Sequence, residues 1–363
     1  RARFFAAEAL GRIKHAAAVQ PIISMLRENN DVDVYLRHSG SLALSRIGQA
    51  EPLIALAKDS SRALRIAAVV ALRRMSDAGI AAFLADKDEF VVTETARAIN
   101  DDLSIPAALP ELGDILTTTS FKNEALIRRA ISANLRVGTA ASLQHLIDYA
   151  LAESNPVSMR AEALAAISVW ARPSVLDRVD GRLRGLVKRD PAQVKNSSAL
   201  AVMKLLNNRD GQLRLAAAKA IGKLQTDGAA RALMTTLKKD PVSEVRREAL
   251  HALASIGAPQ IGDAIAQALT DKEKNVRVAG IDLLGKTAVP ADLQVKLLTN
   301  VINTKSSEEK QAALLMLGKL PVSLSQPVLE AQLNKMEKGS LSPDVYIELA
   351  EAIDSSKSTA LAA

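Results

Sequence analysis

The feature that most constrains the fold is a short pattern that returns along most of the chain. One copy, from Ser243 to Gly257, reads Ser-Glu-Val-Arg-Arg-Glu-Ala-Leu-His-Ala-Leu-Ala-Ser-Ile-Gly. Its apolar residues recur every three or four positions, which places them on one face of an α-helix. A single helix of this kind cannot bury its apolar face, whereas stacked copies share one continuous core. The pattern therefore predicts an array of packed helices.

Ten copies are recognisable from a basic residue and a leucine or isoleucine seven positions later, two helical turns along the same face. The complete pairs are Arg3/Leu10, Arg37/Leu44, Arg65/Leu72, Arg128/Leu135, Arg160/Ile167, Arg214/Ile221, Arg246/Leu253 and Arg277/Leu284, and the degenerate pairs are Val92/Ile99 and Lys310/Leu317. A second amphipathic segment lies between most copies, which makes each repeat a helical hairpin. The sequence predicts an all-α, right-handed α-solenoid of about eleven hairpins, an armadillo-type fold.

One interval between copies is much longer than the others. Successive basic positions are 27 to 36 residues apart, except for a step of 54 residues between Arg160 and Arg214. That step requires an additional element. We expect this element to be helical over residues 173–190 and to precede a helix from Val194 to Leu206.

The repeats predict one domain. We expect a single array over residues 1–363, because a repeat array of any length can form one structure. The repeats are least regular around 75–125 and 172–195, where a bend or a change of twist is expected. The tail at 354–363 is rich in serine and alanine and is expected to fray.

The residue types that catalysis and metal binding need are missing or scattered. There is no cysteine, which excludes disulfides, thiolate catalysis and cysteine-ligated metals. The four histidines lie in different repeats without a partner at ligand spacing, and the common phosphate-binding and serine-nucleophile motifs are absent. No apolar window approaches the roughly 20 residues of a membrane span. The sequence predicts a scaffold or protein-interaction module that is not an enzyme and has no cofactor or metal.

The repeated arginine of the motif helices has two interpretations. A column of guanidinium groups can grip phosphates. It can also brace the turns between adjacent repeats through hydrogen bonds and ion pairs. An Asp, Asn or Ser lies six residues before the basic position in most copies. This spacing favours the structural interpretation.

Positive charge is concentrated in one segment, Arg172 to Arg189. It holds six basic and two acidic residues, whereas the whole chain has a net charge of +7. The segment is a candidate surface for an acidic protein, a neighbouring domain of the same polypeptide, or nucleic acid or another polyanion. A solvated face without a partner is the alternative. The candidate partner-binding residues are Arg178, Arg182, Arg184, Lys188 and Arg189.

The recurring pattern Asp-x-x-Val-Arg-x-x-Ala-x-x-Ala-Leu-x-x-Ile-Gly resembles HEAT repeats. It is most similar to the short, alanine-rich bacterial kind that also occurs in phycobilin-lyase-type repeats. The copies around Arg37, Arg246 and Arg277 carry the resemblance, which implies an α-solenoid. The resemblance also leaves an alternative function, that of an enzyme related to phycobilin lyases or to helical-repeat DNA glycosylases. Such an enzyme would need a pocket with convergent acidic and aromatic groups.

Aromatic residues argue against that enzyme alternative. They make up 2% of the chain, and Trp170, Tyr35, Tyr149 and Tyr346 are far apart in sequence. Stacking platforms for bases or single strands are therefore not evident. Trp170 is expected to belong to the core at a junction between repeats.

A narrower resemblance rests on Asp33 to Leu44 and on the opening Arg3 to Leu10. These segments are similar to the helical part of large bacterial proteins in which a sugar-dehydrogenase-like β-propeller precedes HEAT repeats and a c-type cytochrome domain. The resemblance implies a periplasmic or cell-surface location and a spacer role within a larger protein. The Cys-x-x-Cys-His haem signature of that family is absent, so no haem site is expected in this chain.

Overall fold

The computed structural model describes residues 1–361. It is helical, and the only β-type pairing within that range is an isolated antiparallel bridge between Leu176 and Leu183. The α-helices are α1 (Ala2–Arg12), α2 (Val19–Asn29), α3 (Val34–Ile47), α4 (Glu51–Ala55), α5 (Arg62–Met75), α6 (Glu89–Asn100), α7 (Leu109–Thr118), α8 (Glu124–Val137), α9 (Ala140–Leu151), α10 (Val157–Ser168), α11 (Pro191–Leu205), α12 (Gly211–Leu224), α13 (Ala230–Lys239), α14 (Ser243–Ser255), α15 (Ile261–Leu269), α16 (Lys274–Leu284), α17 (Ala291–Thr304), α18 (Ser307–Leu317), α19 (Val322–Glu337) and α20 (Tyr346–Ser356). The short 3₁₀ helices are Ala16–Ala18, Leu56–Lys58, Ala78–Ala85, Pro106–Ala108 and Pro343–Val345. The all-α prediction is confirmed.

Unit 1, Arg1–Ser198, is a two-layer stack of helical hairpins. The motif helices α1, α3, α5, α6, α8 and α10 pack one on the next and form the first layer. In the second layer, α4 contacts the 3₁₀ helix Ala78–Ala85, which in turn contacts α7, and α7 contacts α9. The 3₁₀ helix replaces a longer α-helix inside the stretch 75–125 for which irregularity was expected. The core between the layers is built mainly from Ala, Leu, Ile and Val.

Unit 2, Ala199–Ala363, repeats the same arrangement more regularly. Its motif helices α12, α14, α16, α18 and α20 pack in chain order, and α13, α15, α17 and α19 form the second layer in the same way. This is the stacking that defines an α-solenoid. A single array over residues 1–363 stays a prediction.

Side-chain caps begin many of the motif helices. Asp33 accepts hydrogen bonds from the backbone N–H groups of Tyr35 and Leu36, and Asp88 and Asn123 cap α6 and α8 in the same way. These caps satisfy N–H groups that have no partner within the helix. The capping residues therefore fix where each repeat turns.

Residues 173–190 are not the helix that the spacing suggested. They form an irregular loop, and the extra element of the long step is α11 alone. The backbone of Gly181 and Gly185 is left-handed, with φ of +70° and +92°, which a continuous helix cannot accommodate. The Asp177 carboxylate accepts hydrogen bonds from the backbone N–H groups of Val179 and Asp180, and this local turn competes with helix formation.

The end of the described chain is packed rather than frayed. Asp354 lies in the last turn of α20, and Ser358 and Leu361 are buried. The Ser358 hydroxyl and the Gln326 side-chain oxygen lie 3.1 Å apart and share a hydrogen bond. Residues 362 and 363, the remainder of the predicted tail, lie outside the described range.

Arginines of unit 2 connect each repeat to the next. Arg246 donates to both carboxylate oxygens of Asp271 at 2.7 Å and, through Nη1, to the backbone carbonyl of Asp240 at 2.8 Å. Arg214 forms the same pair of contacts with Asp240 and with the carbonyl of Asn208. One guanidinium group therefore holds its own turn and the following turn together, as the structural interpretation predicted.

The last of these braces has the most buried carboxylate. Arg277 donates to both carboxylate oxygens of Glu309, which is fully buried, and Ser306 donates its hydroxyl to the same carboxylate at 2.7 Å. The hydrogen bonds from Arg277 outweigh the effect of burial and lower the pKa of Glu309 to about 2. The carboxylate is therefore charged at neutral pH and helps to hold α16 against α18.

In unit 1, Arg65 forms this brace with Asp86 and with the carbonyl of Asp59. Arg37 instead pairs with Asp31 of its own turn, and Arg160 donates to the carbonyl of Ala150.

In the repeat of α8 the position of the arginine itself differs. Arg128 was aligned as the motif residue, but it pairs with Glu124 of its own helix. The neighbouring Arg129 is buried and donates to both oxygens of Asp101, in the preceding repeat. Arg129 was missed because the leucine seven positions later, Leu135, selects Arg128, whereas the residue seven positions after Arg129 is Arg136.

We predict that Glu309→Gln lowers the free energy of unfolding of this chain by about 3 kcal/mol at pH 7, because Arg277 would be left without its carboxylate. Urea unfolding followed by circular dichroism measures the change. The matched control is Glu308→Gln, since Glu308 pairs with Lys274 at the surface and should contribute less than about 1 kcal/mol.

The loss of unfolding free energy caused by Glu309→Gln should also depend on pH. The folded-state pKa of Glu309 lies below its unfolded value, so its contribution is complete above about pH 4.5 and is lost as the pH falls towards about 2. The deficit of Glu309→Gln relative to the natural protein should therefore shrink between pH 5 and about pH 2. A deficit that stays constant over that interval would contradict the assigned ion pair.

Candidate protein-binding site

A groove runs across the exposed face of three successive motif helices in unit 1. This α3–α6 groove has a volume of about 430 Å³ and lies over α3, α5 and α6. Several apolar side chains in it remain open to solvent: Val34 is 51% exposed, Val70 37% and Phe90 48%. The residues that line it are Asp31, Val34, Arg37, His38, Ser41, Arg62, Ile66, Val69, Val70, Arg73, Phe90, Glu94 and Ala98.

Charged side chains line the groove, and most of them are paired. Arg37 donates to Asp31 at 2.9 Å, and Arg62 pairs with the capping carboxylate of Asp88. The guanidinium group of Arg62 also lies 4.9 Å from the centre of the Phe90 ring, which orients that ring. Partnered charges beside an apolar floor are suited to a polypeptide ligand.

At the base of the groove one polar group is unsatisfied. The hydroxyl of Ser41 is buried and has no hydrogen-bond partner among the described residues. A buried hydroxyl of this kind costs stability, and such groups in native proteins are often relieved by a bound molecule or by water.

A second hollow of about 350 Å³ continues the groove and shares Val70, Arg73 and Ala98 with it. It ends at the turn Asp101–Ile105, where Asp102 and Ser104 adopt left-handed backbone conformations. Arg73 donates to the carboxylate of Asp102 at 2.5 Å. This turn is also the place where the basic segment contacts the groove face.

We name residues 172–190 the cross-loop. It runs from the end of α10 back to the turn after α6. Arg184 donates to the backbone carbonyls of Asn100 and Asp102, both at 2.7 Å, and to the carboxylate of Asp180 at 2.9 Å. In return, the Asp180 carboxylate accepts a hydrogen bond from the backbone N–H of Asp102 at 2.9 Å. The cross-loop is therefore attached to a turn about 80 residues earlier in the sequence.

The far end of the cross-loop is attached by Arg189. Its guanidinium group lies 4.7 Å from the centre of the Trp170 ring and donates to the carbonyls of Trp170 at 2.7 Å and Leu135 at 2.6 Å. Burial lowers the pKa of Arg189. Trp170 is fully buried, as predicted, and Arg189 thereby caps the last turn of α8.

The five predicted partner-binding residues are thus mostly engaged inside unit 1. Arg178 pairs with Glu162, and Arg182 pairs with Asp102. Arg184 donates to backbone carbonyls and carboxylates and Arg189 to backbone carbonyls, as described above, whereas Lys188 is exposed. No observation here favours nucleic acid as the ligand, and partner binding through these residues stays a prediction.

Sequence reasoning missed the apolar residues of the α3–α6 groove. Val34 and Phe90 follow the capping residues Asp33 and Asp88 by one and two positions. At the start of a helix, beside a charged cap, they resembled ordinary surface positions. The sequence signal that could have indicated the groove is an apolar residue at the exposed start of each of these two motif helices.

Within residues 1–361 no group of three or more His, Asp or Glu side chains is arranged to hold a metal ion. Over the same range, no helix is both long enough and apolar enough to cross a membrane. The hollows described above are open grooves on the face of the motif helices. The acidic and aromatic groups in them are held by arginines.

Two family descriptions match parts of the sequence. The one for HEAT repeats matches residues 199–265, and the one for the PBS lyase HEAT-like repeat matches residues 2–28. The chain carries HEAT-like repeats. The first match lies at the start of unit 2, where Arg214 and Arg246 form the braces described above, and the second covers α1 and most of α2. No curated protein matches the sequence.

Solved structures show the same fold class. Kap121p bound to Pho4p is similar over 97% of this chain and 44% of that chain, with 12% identity and a TM-score of 0.57. An engineered protein is 18% identical, over 98% of this chain and 95% of that one, with a TM-score of 0.35. The complex of CpcE and CpcF of phycocyanin lyase from Nostoc sp. is 19% identical, over 76% of this chain and 93% of that one, also with a TM-score of 0.35. The likeness to Kap121p supports a helical-repeat fold and nothing finer.

A pair of glycines tests the attachment of the cross-loop. Gly138 and Gly48 both end motif helices with positive φ, +72° and +81°. A Cβ on Gly138 would collide with Arg189, whereas a Cβ on Gly48 would meet no atom within 4 Å. We predict that Gly48→Ala costs about 1 kcal/mol through backbone strain alone, and that Gly138→Ala costs about 1–2 kcal/mol more.

Urea unfolding of both variants measures these costs. The excess cost of Gly138→Ala should largely disappear when Arg189 is also replaced by alanine, because the collision is then removed. Equal costs for the two glycine variants, or an excess that survives Arg189→Ala, would contradict the packing of Arg189 against this turn.

Proposed function

We propose that the chain is a non-catalytic scaffold that binds a protein partner in the α3–α6 groove. The observation that carries the proposal is the set of half-exposed apolar side chains, Val34, Val70 and Phe90, between three rigid helices. Apolar surface that a stable fold leaves uncovered in a groove is typical of a protein-interaction site. HEAT-like repeats are an architecture that presents such extended surfaces.

The charges beside the groove indicate the chemistry of the partner. Arg74 is exposed at the end of the groove and makes no ion pair within residues 1–361, and His38 is also exposed in it. The carboxylates near the groove are mostly engaged by Arg37, Arg62 and Arg73. An extended segment with apolar side chains and one or more acidic residues is therefore the best fit.

The proposal extends to the context of the chain. We propose that the repeats form one module of a larger bacterial protein, in which they position neighbouring domains, including redox modules at the periplasmic or surface side. Support for this finer statement comes from the likeness of Asp33 to Leu44 to such proteins. In Kap121p, whose fold is similar, the solved complex contains the protein Pho4p.

Selection from a displayed library of random peptides tests the groove. We expect the selected peptides to be apolar and acidic and to bind with micromolar dissociation constants. Val70→Glu and Phe90→Ala should each weaken binding at least tenfold, because the first places a charge on the groove floor and the second removes the exposed ring.

The control is Ile347→Glu, since Ile347 is exposed on α20 of unit 2 and should leave binding unchanged. Circular dichroism of each variant confirms that the fold is retained. The proposal fails if no peptide is selected, or if the selected peptides bind equally well to the natural protein and to both groove variants.

A further inference from the structure

We infer that the face of α6 and α8 beneath the cross-loop is a second binding surface. This surface binds a basic turn segment, and in this structure the cross-loop itself occupies it. This inference goes beyond the α3–α6 groove and does not depend on it. It follows from the place of the cross-loop on the repeats, from the acceptors that hold it, and from its own lack of regular structure.

The first step is that the cross-loop covers the continuation of the groove face. Arg73, which lines the α3–α6 groove, donates to the carboxylate of Asp102, and Arg182 of the cross-loop donates to the same carboxylate. Ser132 donates to the carboxylate of Asp177 at 3.2 Å, and Arg136 lies 3.8 Å from the same carboxylate. The side of the motif helices that is open at α5 is therefore covered by the cross-loop at α8.

The second step is that the face supplies acceptors for basic side chains. Besides the carbonyls of Asn100 and Asp102, it offers the Asp102 carboxylate, which accepts from Arg182 at 3.0 Å. Helix α6 ends here, so its last carbonyls have no partner within the helix. Arg184 satisfies the carbonyl of Asn100 at this end with a charge-assisted hydrogen bond, and Arg182, two residues earlier, donates to the Asp102 carboxylate just beyond it. A helix C-terminus that carries negative partial charge selects a cationic ligand.

The third step is that the cross-loop rests on this face rather than forming part of the core. Its only backbone pairing of β type is the single bridge between Leu176 and Leu183. A cavity of about 80 Å³ remains beneath it, and its residues Leu183 and Leu186 are 73% and 72% exposed. Polar attachments therefore hold most of this segment in place, among them the buried carboxylate of Asp177, which pairs with Arg184. Loss of such attachments frees a segment that has few apolar contacts of its own.

The fourth step is that the cross-loop is closed at its base. The backbone N–H of Arg189 donates to the carbonyl of Ala171 at 2.8 Å, so the two ends of the loop meet. A short linker can therefore replace residues 174–187 without moving α10 or α11. The covered face would then be open, and a ligand with the chemistry of the cross-loop can be supplied as a separate molecule.

The test uses a full-length variant in which residues 174–187 are replaced by a short Gly-Ser linker. Its ligand is a fluorescent synthetic peptide with the sequence of residues 173–188. We expect the linker variant to keep its helical circular dichroism and the emission of the buried Trp170, the only tryptophan in the chain. It should bind the peptide with one-to-one saturation, measured by fluorescence anisotropy, whereas the natural protein should not bind it.

A matched pair of peptides identifies the contacts. A peptide with Arg184→Ala should bind at least tenfold more weakly, while a peptide with Lys188→Ala should bind as well as the natural sequence, because Lys188 is exposed. An unfolded linker variant would overturn the inference, since the cross-loop would then be part of the core. A folded variant that fails to bind the peptide, or that binds both altered peptides equally, would overturn it as well.

A second measurement uses the intact chain. Arg184→Ala should free the cross-loop and speed trypsin cleavage after Arg178 or Arg182 at least fivefold, with helical content unchanged. Lys188→Ala, the control, should not speed cleavage at those two residues. Equal cleavage rates for the Arg184→Ala variant and the natural protein would show that these contacts do not hold the cross-loop, and would contradict the inference.

Discussion

The structure depends on one kind of contact, the arginine of a motif helix that holds two successive turns. Apolar faces of Ala and Leu pull the hairpins together, but burial is non-directional and does not by itself set the register between repeats. The bidentate pair of Arg246 with Asp271 has a fixed geometry, and its third contact, to the carbonyl of Asp240, orients the preceding turn. The repeats of Arg214, Arg246 and Arg277 are thereby placed relative to the ones that follow, so the regular stacking of unit 2 follows from local chemistry.

The middle of unit 1 shows what happens where that contact changes direction. Arg129 reaches back to Asp101, and the following turn contains Asp102 and Ser104 in left-handed conformations. The end of α6 then exposes carbonyl groups that the brace does not use, and Arg184 of the cross-loop occupies them. The irregular region and the second binding surface thus have the same origin. In unit 2, where the braces are regular, the turns are closed by the repeats themselves.

The sequence predicted the features that repetition encodes. The period of the apolar residues predicted the helical hairpins, and the Asp, Asn or Ser six residues before the basic position in most copies predicted the braces. Trp170 was correctly assigned to the core. The sequence did not predict the cross-loop. Its charges suggested a surface for an external partner or for solvent, whereas the groups that Arg184 and Arg182 contact, in Asn100 and Asp102, lie far away in sequence. The apolar groove was missed for a similar reason: exposure of Phe90 depends on packing between three helices, which no local pattern reports.

The meeting of Ala171 and Arg189 has a consequence for how such a chain can diversify. The backbone hydrogen bond from Arg189 to Ala171 joins the two ends of the cross-loop. The length of the segment between these ends is therefore not tied to the spacing of the repeats. Insertions of other sequences at this point would leave the helical stack intact. Residues 174–187 are therefore a position at which other binding segments can replace the present one while the spacing of the helices stays the same.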